Sequence, residues 1–401
     1  MPQFSFWFTV LLIAVVVFVI LNTVAFMILV ERKVSAYMQD RLGPNRVGPY
    51  GLLQPIVDGA KMLLKEDIIP THVDKIFFLL APCIAAGTAL LAFAIVPFGP
   101  TSAPPPPAAG AAAFDSAQAE YQSHHQFVVA PGIDIGILFT FSVSSLAVYG
   151  IILGGWSSNN KYSILGSLRS SAQIISYEIP LGMSILGLVL YSGSLNLETT
   201  IDWQARHGWN ILYHPLAFFL FLTSVFAECN RLPFDLPEAE QELVGGYHTE
   251  YSSIKFGMFY LGEYTHMITT SFLVSVLFLG GWEFFGLTDG HEWYHTILKF
   301  VSILGKAAFF LVFYVVVRWT LPRFRFDQLM GIAWKVLIPL SIVNLLSVMV
   351  VRELDLPLIV LPVISVVLFA AAAAVSARRP GPMGVTKTGN IHAPAALAGR
   401  Y

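Results

Sequence analysis

Ala227-Glu228-Cys229-Asn230-Arg231-Leu232-Pro233-Phe234-Asp235-Leu236-Pro237-Glu238-Ala239-Glu240-Gln241-Glu242-Leu243 is the stretch that decides how this chain is read. It starts inside an apolar run long enough to enter a bilayer and ends in acids spaced by two. A carboxylate in or beside hydrocarbon costs a few kcal/mol or more. A chain that carries Glu228 there, and follows it with Asp235, Glu238, Glu240 and Glu242, uses those acids. The natural use is to carry or sense protons.

Composition agrees with a membrane location. The 401 residues are 56% hydrophobic and only 12% charged, with a mean hydropathy of +0.68. Soluble domains carry about 25% charge, so this is an integral membrane protein of the all-α class. The net charge of -2 points to no nucleic-acid partner. Two cysteines, Cys83 and Cys229, are too few for an iron–sulfur cluster and lack metal-ligand spacing. They read as small buried hydrophobes. The first apolar stretch is too long for the core of a signal peptide, which runs about 7–15 residues, and reads as a retained span.

Apolar stretches able to cross a bilayer of about 30 Å lie near 4–30, 76–97, 133–154, 172–193, 214–230, 256–282, 297–317, 335–351 and 356–377. The expectation is a bundle of about nine transmembrane helices forming a single membrane domain over 1–377. Lys and Arg set its orientation. With the loop 31–75 placed inside, only Arg206, Lys299 and Arg352 fall on the outer side and Lys306 falls within a span. All the other Lys and Arg are cytoplasmic. The N-terminus is therefore expected outside and the C-terminus inside. Residues 99–131, rich in Pro and Ala, read as a flexible external loop. The tail 378–401 reads as a disordered cytoplasmic segment.

Several constellations carry chemistry. Arg41 to Gly51 holds two turns of Gly-Pro type. Beyond it, Leu52, Leu53, Ile56, Val57, Ala60, Leu63 and Leu64 recur at helical spacing, with Gln54, Asp58, Lys61 and Lys65 on the other face. This amphipathic helix either lies in the membrane interface or packs against its own bundle or a partner. Glu178 sits just inside the fourth span, Glu228 ends the fifth, Glu263 lies in the sixth and Lys306 in the seventh. Ionisable groups in spans turn inward, so these four are expected to face one another across a hydrated track that Tyr177, Tyr264 and His266 extend. Glu238, Glu240 and Glu242 suit a loop lining a cavity or a solvated face. The basic and aromatic loop from Pro322 to Lys335 reads as a membrane anchor, a docking site or a neutraliser of the acids. There is no nucleotide-binding Gly-rich motif, and His124 and His125 read as solvated. No redox centre is expected in the chain itself.

Taken together, Glu31-Arg32-Lys33, the segment from Arg41 to Gly51, Gly155 to Tyr162, Arg169 to Glu178, the acidic loop, Glu250-Tyr251, Glu263-Tyr264 and Arg323 to Lys335 resemble a membrane-subunit family of NADH-quinone oxidoreductase, respiratory complex I, which includes a mitochondrial counterpart. The resemblance implies a bacterial inner-membrane protein with no catalytic or metal-binding residue of its own. It would form part of a quinone chamber and couple quinone reduction to proton translocation. By position, Arg32, Arg41, Arg46, Gln54 and Asp58 would border the quinone entrance, and Arg231, Phe234 and Asp235 the loop facing the chamber. Glu178, Glu228, Glu238, Glu240, Glu242 and Glu263 would couple to protons. Quinone is then the substrate, with NADH, FMN and iron–sulfur clusters in partner subunits. Implied partners are the peripheral-arm subunits, neighbouring small and antiporter-like membrane subunits, and lipid. Two other readings remain: the related membrane anchor of an ion-pumping hydrogenase, and a stand-alone secondary transporter.

Overall fold

A computed structural model describes residues 6–99, 128–130, 133–235, 244–284, 286, 288 and 293–378. Helices account for its regular structure: α1 (Phe6–Met38), α2 (Gln54–Leu64), α3 (Lys75–Ala92), α4 (Gly136–Ser157), α5 (Lys161–Ser192), α6 (Leu197–His207), α7 (Asn210–Tyr213), α8 (Pro215–Glu228), α9 (Ser253–Phe278), α10 (Trp293–Thr320), α11 (Phe326–Ile332), α12 (Ile338–Glu353) and α13 (Val360–Arg378). Among the described residues there is no strand. The chain is an all-α membrane helix bundle.

Each expected span is a helix, but they differ in how well they match a bilayer. Six are long and apolar enough to cross it, within α1, α3, α4, α5, α10 and the α11–α12 pair. Helix α8 has 14 residues, about 21 Å at about 1.5 Å per residue, and α13 is also counted among the shorter apolar helices. Helix α9 has 26 residues, but Lys255, Glu263, His266 and a run of Ser and Thr dilute its apolar character. Most residues of α8 and α9 are buried against other helices.

Local chemistry explains the helix ends. Asp74 accepts from the Ile76 N–H at 3.2 Å and starts α3. Asn160 does the same for Tyr162 at 3.0 Å and starts α5. Gly193, with φ 69°, ends α5 in the left-handed conformation. Pro215 at the start of α8 gives up an N–H that had no helical partner.

Packing sorts the helices by residue size. α3 meets α4 along its alanines, and on the opposite side α9 joins the same face. A Cβ on Gly150 would come within 3.0 Å of the Ala81 carbonyl oxygen, and one on Gly262 within 3.0 Å of the Ala85 carbonyl oxygen. Small residues thus let three backbones close on one another. The larger core is aromatic: Tyr177, Phe221, Phe226, Phe272, Phe278 and Tyr314 are all buried in it. Several buried hydroxyls donate within their own helix, as when Thr269 donates to the Thr265 carbonyl at 3.0 Å and Ser275 to the Ser271 carbonyl at 2.8 Å.

Two sequence expectations change. Cys229 is buried, but Cys83 lies on an exposed face of α3. Lys306 does not join the acids. Its ammonium donates to the carbonyls of Leu279, Gly281 and Glu283 at 2.7, 2.8 and 2.5 Å and sits 4.8 Å over the Trp209 ring. The end of α9 leaves carbonyls without helical donors, and a cation there is worth more than one among distant carboxylates.

Candidate functional site

The larger cavity, about 910 Å³, lies between α1, α2, α9 and the C-terminal end of α10, within the size range of ligand sites. One part of its wall is apolar, with Leu21, Val24 and Ile28 from α1 and Tyr260 and Leu261 from α9. The other part is charged, with Glu31, Arg32, Asp58, Arg231 and Arg318. An amphiphile with a long apolar tail and a polar head matches such a wall.

The charged part is built from distant segments. Glu31 Oε2 accepts from the Tyr264 hydroxyl at 2.5 Å, and Glu31 Oε1 accepts from Arg318 with Arg231 Nη1 3.7 Å away. The Arg231 guanidinium stacks 4.2 Å over the Tyr264 ring. Burial works against its charge, but the oxygens of Tyr264, Glu31 and Glu263 outweigh burial and hold its pKa above the ordinary arginine range. Its Nε and Nη2 are buried without a hydrogen-bond partner among the described residues. Nearer the mouth, Arg32 pairs with Asp58 at 2.6 Å and Gln54 donates to the same carboxylate at 3.0 Å. Lys33 donates to the Tyr50 carbonyl at 2.5 Å and ties down the loop after α1. In that loop Gly51 has φ 77°, and a Cβ there would fall 2.2 Å from the Pro44 carbonyl oxygen.

Helix α2 buries none of its residues. Ile56, Leu63 and Leu64 are exposed, so its apolar face does not pack against its own bundle. Its polar face, through Asp58 and Gly59, borders the cavity.

A second cavity of about 50 Å³ lies on the far side of α9 and is large enough for water. Glu228, Glu263, His266, Tyr247 and Asn230 line it with apolar groups from α3, α4 and α5. Glu228 pairs with His266 Nε2 at 3.2 Å, and Glu263 accepts from Tyr247 at 3.2 Å. Glu178 accepts from Ser145 on α4 and is absent from this lining. Beside Tyr247, His248 is packed among Phe256, Phe259 and Tyr260; burial pulls its pKa down to about 3, which keeps it neutral.

Not every expected residue reaches a cavity. Arg32, Arg41, Asp58 and Arg231 line the larger one, and Gln54 joins through Asp58. Arg46 is exposed and outside the lining. Phe234 packs between Tyr177 and Phe324 at 5.3 and 5.7 Å. Asp235 pairs with Arg323 at 3.1 Å, so the basic loop does neutralise one acid. Glu238, Glu240 and Glu242, most of the loop 99–131 with His124 and His125, and the tail beyond Arg378 lie outside the described residues. Sequence reasoning missed Glu31 and Arg318 as site residues. Glu31 precedes Arg32 and Lys33 at the end of a span and looks like part of a charged flank.

Fold and site together define a helical membrane protein in which one helix, α9, separates an amphiphile-sized cavity from an acid-lined one. The chain belongs to the NADH dehydrogenase family, whose sequence model matches residues 11–349. It is 47% identical over 356 residues to NADH-quinone oxidoreductase subunit 8 of Thermus thermophilus, covering 89% of this chain and 90% of that one. A subunit of NADH-quinone oxidoreductase from Koribacter versatilis is 48% identical over 340 residues, 83% and 94% of the two chains. Subunit 8 from Rhodothermus marinus is 43% identical over 352 residues, 84% and 95%.

Proposed function

We propose that this chain, as the membrane subunit of an NADH-quinone oxidoreductase, lines the quinone chamber with its larger cavity and passes the charge change of quinone reduction to the acids of the smaller one. The observation that carries this is the placement of α9. Tyr260, Leu261 and Tyr264 face the larger cavity, while Phe259, Glu263 and His266 face the smaller. Arg231 bridges them electrostatically: it lies against Glu31 and also feels Glu263. The apolar wall suits an isoprenoid tail and the charged end a quinone head. Its unpaired N–H groups make Arg231 a donor available to that head. Neither the hydrogenase anchor nor the stand-alone transporter is favoured by the named relatives.

The redox cofactors in this reading belong to partner subunits: FMN, iron–sulfur clusters and the NADH site. The partners are the peripheral-arm subunits at the cytoplasmic mouth of the chamber and the small and antiporter-like subunits along the membrane. The chain sits in a bacterial inner membrane with its N-terminus outside and its C-terminus in the cytoplasm. Glu178, Glu228 and Glu263, with the acidic loop, act as the coupling acids.

The test uses Gly59, which lines the cavity and has open space where a Cβ would stand. Gly59→Trp should cut quinone-linked NADH oxidation by about tenfold or more, as misplacing a bound substrate commonly does. NADH oxidation by a soluble acceptor that takes electrons upstream should persist. Unchanged quinone turnover in the assembled variant would remove the cavity from the quinone path.

A further inference from the structure

We propose that His266 is the proton-exchanging partner of Glu228 and a positioning residue for the coupling acids; this rests on the function proposed above and sharpens it at one residue. Three observations carry it. His266 Nε2 stands 3.2 Å from Glu228 Oε1, and both side chains are largely buried, at 12% and 9% exposure. Both line the small cavity. The other carboxylate oxygen, Glu228 Oε2, is buried without a partner among the described residues, which leaves an acceptor beside space for water.

The surroundings select this pair. Groups facing His266 are Glu228 and Cys229 from the end of α8, Tyr247 from the turn before α9, and Glu263 one turn earlier on α9. The helices α3, α4 and α5 present only Ala85, Ala89, Ser144, Ala147, Val148, Ile151 and Ile174, none of them charged. Arg231 lines the larger cavity, where it lies 3.7 Å from Glu31, and reaches the smaller one only through its electrostatic pull on Glu263. Among the described residues lining this cavity, His266 is the cation-forming neighbour of Glu228.

The exchange is balanced. The O–H bond of a protonated Glu228 breaks, an N–H bond forms at His266, and carboxylic acid with neutral imidazole becomes carboxylate with imidazolium. The pair is neutral before and after, so a proton changes place without leaving a net buried charge, which a low-dielectric site strongly penalises. Histidine suits this because an imidazole nitrogen can both accept and return a proton. Glu263, on the same face one turn away, is the next acid the proton meets, with Tyr247 bonded to it.

The experiment compares H266N, E228Q and the double variant in the purified complex reconstituted into vesicles. Asparagine keeps a hydrogen-bond donor but does not titrate. H266N should keep NADH oxidation by the soluble acceptor. It should lower quinone-linked turnover and proton uptake together by about tenfold or more, in the range of general acid–base contributions, and change the shape of their pH profile. The double variant should be no worse than E228Q, because the histidine acts through that glutamate. If E228Q abolishes coupled activity while H266N keeps the wild-type pH profile, His266 only packs and the inference is overturned. If E228Q itself pumps normally, the coupling role of the acids falls first. Infrared difference spectra of the unmodified complex, taken on quinone reduction, need no variant to assemble. They should show imidazole ring bands changing together with a carboxylic C=O band, and a carboxylic change without the imidazole one also overturns the proposal.

Discussion

Glu31 gathers Arg318, Arg231 and Tyr264 from three widely separated segments around one carboxylate. Removing one partner of a buried ion pair leaves the other charge uncompensated, typically at a cost of about 3–5 kcal/mol. Arg231→Met should therefore weaken the assembled complex, seen as a lower melting temperature of the detergent-solubilised enzyme, and should depress quinone turnover at the same time. Unaltered melting would mean the ion pair contributes little and that Arg318 alone neutralises Glu31. The acids proposed to couple, Glu178, Glu228 and Glu263, stand out in the sequence because they break apolar runs. Glu31 does not, because nothing local connects position 31 with 231, 264 and 318. The partners of the acids were legible only as residue types: that Glu228 meets His266 and Glu178 meets Ser145 follows from how α8, α9, α4 and α5 pack.

Among the helices, the junction of α3, α4 and α9 places the second cavity. Gly262 precedes Glu263, so the distance at which α9 rides on α3 fixes where that carboxylate stands. Gly262→Ala would put a Cβ 3.0 Å from the Ala85 carbonyl oxygen, and overpacking of this kind costs about 1–3 kcal/mol. The expected result is reduced quinone-linked proton pumping with normal soluble-acceptor activity, while Gly305→Ala, where no atom lies within 4 Å, should change neither. Equal behaviour of the two variants would show that the close approach has no bearing on coupling. The amphipathic pattern of 52–64 was legible as a helix, and α2 covers Gln54–Leu64. Its orientation was open in the sequence, because an apolar stripe says that something covers it and not what. The position of Lys306 was misjudged for a related reason: hydropathy marks a cation in a span but does not reveal the carbonyls at the end of a neighbouring helix.

For the whole molecule, the bundle and its membrane setting followed from hydropathy alone, and each expected span is a helix. The count was harder to judge from residues, because α8 and α9 depart from the length or the apolarity of a lipid-facing span. Lys and Arg asymmetry is the ground for the proposed cytoplasmic C-terminus. A reporter active only outside, fused after Tyr401, should stay silent in cells; activity would invert this topology or remove a crossing. Helix α9 is fastened at both ends. At one, Ser253 donates to the Met62 and Lys65 carbonyls at 2.9 and 3.0 Å and Lys255 pairs with Asp67 at 2.8 Å. At the other, Lys306, Gln204 and Asn210 hold the carbonyls of Leu279, Val276 and Leu277 at 2.7, 2.8 and 2.8 Å. In mechanical terms it is a beam clamped at its supports. Load applied along such a beam is taken up as deflection and twist near midspan, and midspan here is the turn from Gly262 to His266.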